Sequence, residues 1–157
     1  MSNSLKEDYI IRIKSRIEHR CDEKRSEDDN IENIELMTRG SFAVKNGSYY
    51  ITYHETEATG YAGCTTTIKL AADGSRVAML RFGHGSRQTQ ILIEKDKRSL
   101  CHYETGYGSI TLGVTSDGID CGLTEKGGTA VFSYLLDADN VELVSRNRLE
   151  VTVTHVN

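Results

Sequence analysis

Phe42-Ala43-Val44-Lys45-Asn46-Gly47-Ser48-Tyr49-Tyr50-Ile51-Thr52-Tyr53-His54-Glu55 is the stretch that decides the fold. Upstream of Asn46, the residues Ile34, Leu36, Thr38, Phe42 and Val44 alternate with Glu35, Arg39, Ser41 and Lys45. A period of two is the signature of a half-buried strand. Asn46 and Gly47 both tolerate positive φ, as a two-residue hairpin turn requires. The returning segment, residues 49–57, is rich in Tyr, Ile and Thr, which suit a pleated sheet surface. Its odd positions are Tyr49, Ile51, Tyr53, Glu55 and Glu57. If the apolar half faces a core, two carboxylates enter near one end.

The same alternation extends in both directions. In residues 9–17 the odd positions are Tyr9, Ile11, Ile13, Ser15 and Ile17, against Ile10, Arg12, Lys14 and Arg16. A strand gathers those cations on one face, whereas a helix scatters them. Residues 22–33 are polar, acidic and aperiodic, and are expected to form a mobile loop after a flexible terminus at 1–8. Downstream, strands are expected over 65–70, 77–82, 88–94, 98–104, 109–115, 119–124, 130–137 and 142–156. Turn signals separate them: Gly60/Gly63, Asp73-Gly74, Gly83-His84-Gly85-Ser86, Gly106/Gly108, Asp117-Gly118, Gly127-Gly128 and Asp139-Asn140. That makes about ten or eleven strands and no helix of useful length. Such even spacing belongs to a sandwich or barrel. A long meander leaves two free edges, and closure into a barrel removes them. The expectation is a single all-β domain spanning 1–157, an antiparallel up-and-down barrel of about 8–10 strands.

Composition narrows the function classes. The chain has 157 residues, no proline and no tryptophan, and 19 Lys+Arg against 23 Asp+Glu give a net charge of −4. That balance, with no Lys/Arg run longer than two, argues against nucleic acid as a partner. No apolar run approaches the roughly 20 residues of a membrane helix, so no membrane partner is expected. Cys21, Cys64, Cys101 and Cys121 form no C-x-x-C pair, and the first residues carry no apolar leader. A cytoplasmic protein with reduced thiols is expected. His19, His54, His84, His102 and His155 lack ligand spacing, so neither a metal nor another cofactor is expected. Cys101 and His102 are adjacent in a strand and point to opposite faces, which removes them as a nucleophile–base pair. Gly83-His84-Gly85-Ser86-Arg87 is followed by no helix and reads as a strand connection.

Three segments resemble the YwiB-like family of bacterial proteins. They are Tyr50-Ile51-Thr52-Tyr53-His54-Glu55-Thr56-Glu57 with Gly60 and Thr65-Thr66-Thr67-Ile68-Lys69; Tyr103-Glu104-Thr105-Gly106-Tyr107-Gly108-Ser109 leading to Leu112-Gly113-Val114; and Val131-Phe132-Ser133-Tyr134-Leu135-Leu136-Asp137 with Ser145-Arg146-Asn147-Arg148-Leu149. The resemblance runs from about residue 8 to the end and implies a calycin-like, that is lipocalin-like, β-barrel. It brings no activity, catalytic residue or cofactor. Two departures stand out: Thr105-Gly106-Tyr107-Gly108 where the family commonly has Thr-Pro-Tyr-Gly, and His54 where an acidic residue is frequent.

A barrel of this size is either filled by side chains or holds one small ligand. The polar residues expected inside are Tyr53, Glu55, Glu57, Arg81, Tyr103 and Asn147, and these are the candidate ligand-binding set. A buried charge must be paired, so Glu55 or Glu57 is expected to meet Arg81, with Asn147 nearby. Tyr53, Tyr103, Tyr107 and Tyr134 suit a pocket lining, having apolar bodies and polar tips. The leading expectation is a non-enzymatic barrel, monomer or homodimer, that binds a small, partly apolar ligand. One alternative is a filled barrel acting as a protein-interaction or homodimer module. Another is a hydrolase using Glu55 and Glu57 as a carboxylate pair. Each of these roles has a purely structural counterpart: a register-fixing ion pair, ordinary core packing, or solvated side chains.

Overall fold

The computed structural model describes residues 7–20, 30–59, 61–83, 89–105, 108–138 and 142–156, with the side chains of 103–105 and 142 outside that description. Ten strands follow one another: β1 (Tyr9–His19), β2 (Ile31–Lys45), β3 (Ser48–His54), β4 (Cys64–Ala71), β5 (Arg76–Gly83), β6 (Thr89–Glu94), β7 (Arg98–Thr105), β8 (Gly108–Thr124), β9 (Gly127–Ala138) and β10 (Glu142–His155). They form one antiparallel sheet in the order β6-β5-β4-β3-β2-β1-β10-β9-β8-β7. Every sequential neighbour pairs except β6 with β7, and β1 pairs with β10 from Tyr9↔His155 to His19↔Ser145. The first and last strands therefore join, and the up-and-down meander curls into a nearly closed barrel.

The alternation in the sequence becomes inside and outside. Ile11, Ile13, Leu36, Ile51, Ile68, Leu70, Val77, Ile93, Phe132, Val151 and Val153 fill the interior. Each such side chain contributes on the order of 1.5–3 kcal/mol by leaving water. The charged partners of β1, Arg12, Lys14 and Arg16, face solvent. Tight turns at Asn46-Gly47, Ala72-Asp73, Lys95-Asp96 and Glu125-Lys126 lie at one end of the barrel. Asn46 and Gly47 adopt φ of 51° and 74°, the positive values that the hairpin demands. An aromatic cluster plugs that end. Tyr9 meets Phe42 edge-on at 5.4 Å between ring centroids, and Phe42 stacks on Tyr49 at 5.8 Å.

Closure stops at β6 and β7 for a reason of parity. The turn at Lys95-Asp96, closed by Lys97 N–H donating to Glu94 O at 3.2 Å, would set Ile91 opposite Leu100 in a regular hairpin. Ile91 is buried and Leu100 is 62% exposed. Residues directly opposite in a ladder share a face, so these two strands cannot pair in that register. The seam is bridged by a side chain instead: the Cys101 thiol donates to the Gln90 carbonyl at 3.0 Å.

Several boundaries differ from the sequence expectation. Asp117-Gly118 is not a turn between two strands. Both flanking segments pair with the unbroken β9, and the register shifts between Ser116 and Gly118, so the pair forms a bulge inside β8. Residues 31–33 belong to β2, paired with β1 through Glu18↔Ile31, and are not loop; residues 22–29 lie outside the described residues. Residues 1–6 do too, whereas Asp8 is tied down by Val156 N–H donating to its carbonyl at 2.8 Å. Strand β3 ends at His54, and Glu57–Thr59 form a single 3-10 turn.

Candidate functional site

The polar residues of the interior collect at the end opposite the tight turns. The pairings Tyr53↔Thr66 and Thr66↔Arg81 put these three residues in one row across β3, β4 and β5. Glu55 lies two residues beyond Tyr53 and keeps its face, because its N–H donates to the Cys64 carbonyl at 2.8 Å and extends the ladder past the strand. The chain then turns outward: the Thr56 hydroxyl accepts from Ala58 N–H at 3.3 Å, starting the 3-10 turn.

Glu55 is the centre of this cluster. Its side chain is 1% exposed, and that of Arg81 is 20% exposed. The Thr66 hydroxyl donates to Glu55 Oε1 at 2.7 Å, and the Thr59 hydroxyl donates to Oε2 at 2.8 Å. Arg81 Nη2 donates to Glu55 Oε1 at 3.3 Å, and its Nε donates to Thr66 Oγ1 at 3.3 Å. The Tyr61 ring covers the guanidinium, with Arg81 Cζ 3.8 Å from the ring centroid. Hydrogen bonds to charged groups contribute about 1.5–3 kcal/mol each, against the cost of burying the carboxylate. The Tyr53 hydroxyl lies in the same network. Burial first, and the Glu55 charge second, hold its proton on well beyond the usual tyrosine range. Burial pushes Tyr134 up to about 12. Both phenols are therefore neutral donors at physiological pH.

Beside this cluster is a cavity of about 170 Å³. Arg81, Tyr61, Tyr134, Asn147, Ser15 and Thr59 supply its polar wall; Ile17, Ile34, Met79, Ile91 and Leu149 supply the apolar one. Asn147 is buried and donates from Nδ2 to Ser145 Oγ at 2.9 Å.

Of the residues singled out in the sequence, the structure brings Glu55, Arg81 and Tyr53 into direct association and sets Asn147 across the cavity from them. Glu57 is not part of this group. It lies in the 3-10 turn and is exposed, because the chain leaves the inner face after Glu55. The expected carboxylate pair therefore does not form, and the hydrolase reading that depended on it loses its geometry. The Tyr103 backbone lies in β7; its side chain, and Tyr107 entirely, lie outside the described residues, as do residues 84–88. Cys101 is buried and His102 exposed, on opposite faces of β7. Thr59, Tyr61 and Thr66 were not singled out in the sequence. Thr66 had a signal, since a two-residue turn at Asp73-Gly74 sets it opposite Arg81. Thr59 and Tyr61 lie in an irregular connection that no periodicity marks.

Fold and site together define a ten-stranded antiparallel barrel with an ion pair at the edge of a small, partly open cavity. The chain belongs to the family described as domain of unknown function DUF1934, whose model matches residues 17–151. Its fold is similar to the crystal structure of the ywiB protein from Bacillus subtilis, with a TM-score of 0.69 and 20% sequence identity over 99% of this chain and 97% of that one. No functionally curated protein matches the chain.

Proposed function

We propose that this protein is a non-enzymatic binder that holds one small, partly apolar molecule at the polar end of its barrel. The observation that carries this reading is the 170 Å³ cavity with Arg81 fixed in its wall. An empty cavity of about 150 Å³ is large enough to take up a benzene-sized molecule. The wall sets an apolar side against placed polar groups, as ligand sites do. Glu55, Thr66 and Tyr61 hold the guanidinium before any ligand arrives, so binding does not have to order it. A calycin-like barrel, which the sequence resemblance implies, fits the same reading. We further infer a cytoplasmic protein, monomer or homodimer: Cys64, Cys101 and Cys121 carry free thiols, as a reducing compartment leaves them.

Native mass spectrometry of protein purified from its own host tests the proposal. It predicts a species carrying one extra small-molecule mass that is lost on denaturation. Protein that emerges only at its bare chain mass, and that gains no mass from a host small-molecule extract, contradicts it.

A second reading, an interaction module, draws on the seam. The edges of β6 and β7 are not laddered to each other, and Leu100 stands out beside them. Unpaired edges invite strand addition. This reading predicts dimer or complex formation in light scattering that Leu100→Lys removes. A monomer at every concentration, with no partner captured, contradicts it.

A further inference from the structure

Within the binding role proposed above, on which this inference rests, we infer that the cavity selects an uncharged ligand with one hydrogen-bond-accepting oxygen, and discriminates against a carboxylate of the same shape. Charge bookkeeping at the wall carries the argument. Arg81 is the only charged side chain among the described residues lining the cavity. A lone arginine there would favour an anion. This one is not alone: Glu55 lies behind it at 3.3 Å, almost wholly shielded from water, and neutralises it. Tyr134, on the opposite wall, stays protonated. Cation and carboxylate together form a neutral unit.

A ligand carboxylate would bring a second negative charge to a guanidinium already committed to Glu55. One of the two anions would then be left without a partner against the apolar wall, a cost that such sites meet by rejecting the charge. A carbonyl or primary amide oxygen has no such penalty. Arg81 has five N–H donors; Nε serves Thr66 and one Nη2 proton serves Glu55. The remaining donors suffice for a neutral acceptor. With Tyr61 on its face and Glu55 on one edge, the guanidinium presents its remaining donor edge to that acceptor in a fixed orientation. The aliphatic wall of Ile17, Met79, Ile91 and Leu149 takes the other end of the ligand. By comparison with a benzene-holding cavity, the volume admits on the order of six to ten non-hydrogen atoms. The class is therefore a short aliphatic amide, ketone or lactone.

The Glu55 carboxylate is thus a selectivity-determining group that never touches the ligand. Its replacement by glutamine keeps oxygen acceptance for Thr59 or Thr66 but frees the charge of Arg81. The preference should then reverse.

The experiment uses methyl-labelled full-length protein and two probes of one shape, hexanamide and hexanoate, followed at neutral pH through the Met79 and Ile91 methyl resonances. In the wild type, hexanamide should bind at least about ten-fold more tightly than hexanoate, the factor that about 1.4 kcal/mol of uncompensated charge gives. In Glu55→Gln the order should invert, with hexanoate the tighter by a similar factor. Wild-type protein that binds hexanoate as well as or better than hexanamide overturns the inference while leaving the cavity reading intact. Wild-type protein in which neither probe moves either methyl overturns the cavity reading itself. If Glu55→Gln does not fold, the wild-type comparison alone decides. If it folds and still prefers hexanamide, Glu55 does not set the preference and the inference fails.

Discussion

Arg81 Nη2 lies 3.3 Å from Glu55 Oε1, joining β5 to the residue that follows β3 across the intervening β4. The pair is asymmetric. Glu55 is sealed and Arg81 retains a fifth of its surface, so the carboxylate has more to lose when the pair is broken.

That asymmetry gives the first prediction. Arg81→Met strands a buried carboxylate, and breaking a buried pair from one side costs about 3–5 kcal/mol. With Arg81 partly solvated, the lower end applies, about 3 kcal/mol, or roughly a 6–12 °C fall in Tm. Adding Glu55→Gln in the same chain should restore most of it. Thermal denaturation of the single and double variants checks this; a single variant as stable as the wild type contradicts it.

The edge strand β7 is secured from the outside by a second pair. Arg98 reaches across β8 to Asp137 on β9, with Nε donating to Oδ2 at 3.0 Å and Nη2 to Oδ1 at 2.6 Å. It passes over Gly113, where an added Cβ would meet the guanidinium. Gly113→Ala should therefore displace Arg98 and cost about 1 kcal/mol, the upper range for a partly exposed bidentate pair. In an Arg98→Ala background the same substitution should gain about 0.5 kcal/mol, since alanine restricts the unfolded chain more than glycine does. Urea unfolding of the four proteins reads the change of sign. Equal effects in both backgrounds would mean that Gly113 is not the passage for Arg98.

Gly40 is constrained differently. It pairs with Tyr9 on one side and Tyr53 on the other, and a Cβ there would come within 2.5 Å of the Thr52 carbonyl and 2.7 Å of Ile11 Cγ1. Backbone cannot give way as a side-chain tip can. Gly40→Ala should cost about 1–3 kcal/mol, as overpacking does. A denaturation midpoint matching the wild type would show that the β1–β2–β3 crossing is looser than described.

The seam makes a pH prediction. Burial pushes the Cys101 thiol up to about 11 from an ordinary value of 9.0. Between those values the unfolded chain has released this proton and the folded chain has not, so the folded state binds more protons. Stability then falls as pH rises from about 9 to 11 and levels off beyond. Cys101→Val removes this contribution and should flatten the wild-type slope over that interval. Parallel curves for the two proteins, compared from pH 8 to 11 by chemical denaturation, would contradict it.

The barrel was legible because three local signals agree. Period-two alternation in β1 and β2, Asn46-Gly47 with positive φ at both residues, and β-branched returning strands all require antiparallel neighbours. The bulge was not legible. Asp117-Gly118 has turn chemistry, and only the unbroken β9 opposite it, a long-range partner, keeps the chain going straight. The same gap separates Glu55 from Glu57. Alternation puts both on one face, but alternation lasts only as long as the strand, and Thr56 turns the chain after Glu55. Arg81 was legible as a partner for Glu55 because both lie on inner faces and a buried charge requires a countercharge. Tyr61 had no periodic context to mark it.

The central claim is that a ligand occupies the space beside Arg81, and a filled cavity tests it most directly. Ser15 lines that space from β1, and Ser15→Phe would place a ring in it. Wild-type and Ser15→Phe proteins, purified side by side from the natural host and compared by native mass spectrometry, should differ in one respect. The wild type carries an additional small-molecule mass and the folded variant does not. An adduct of equal mass and abundance on both proteins would place the ligand elsewhere and contradict the account.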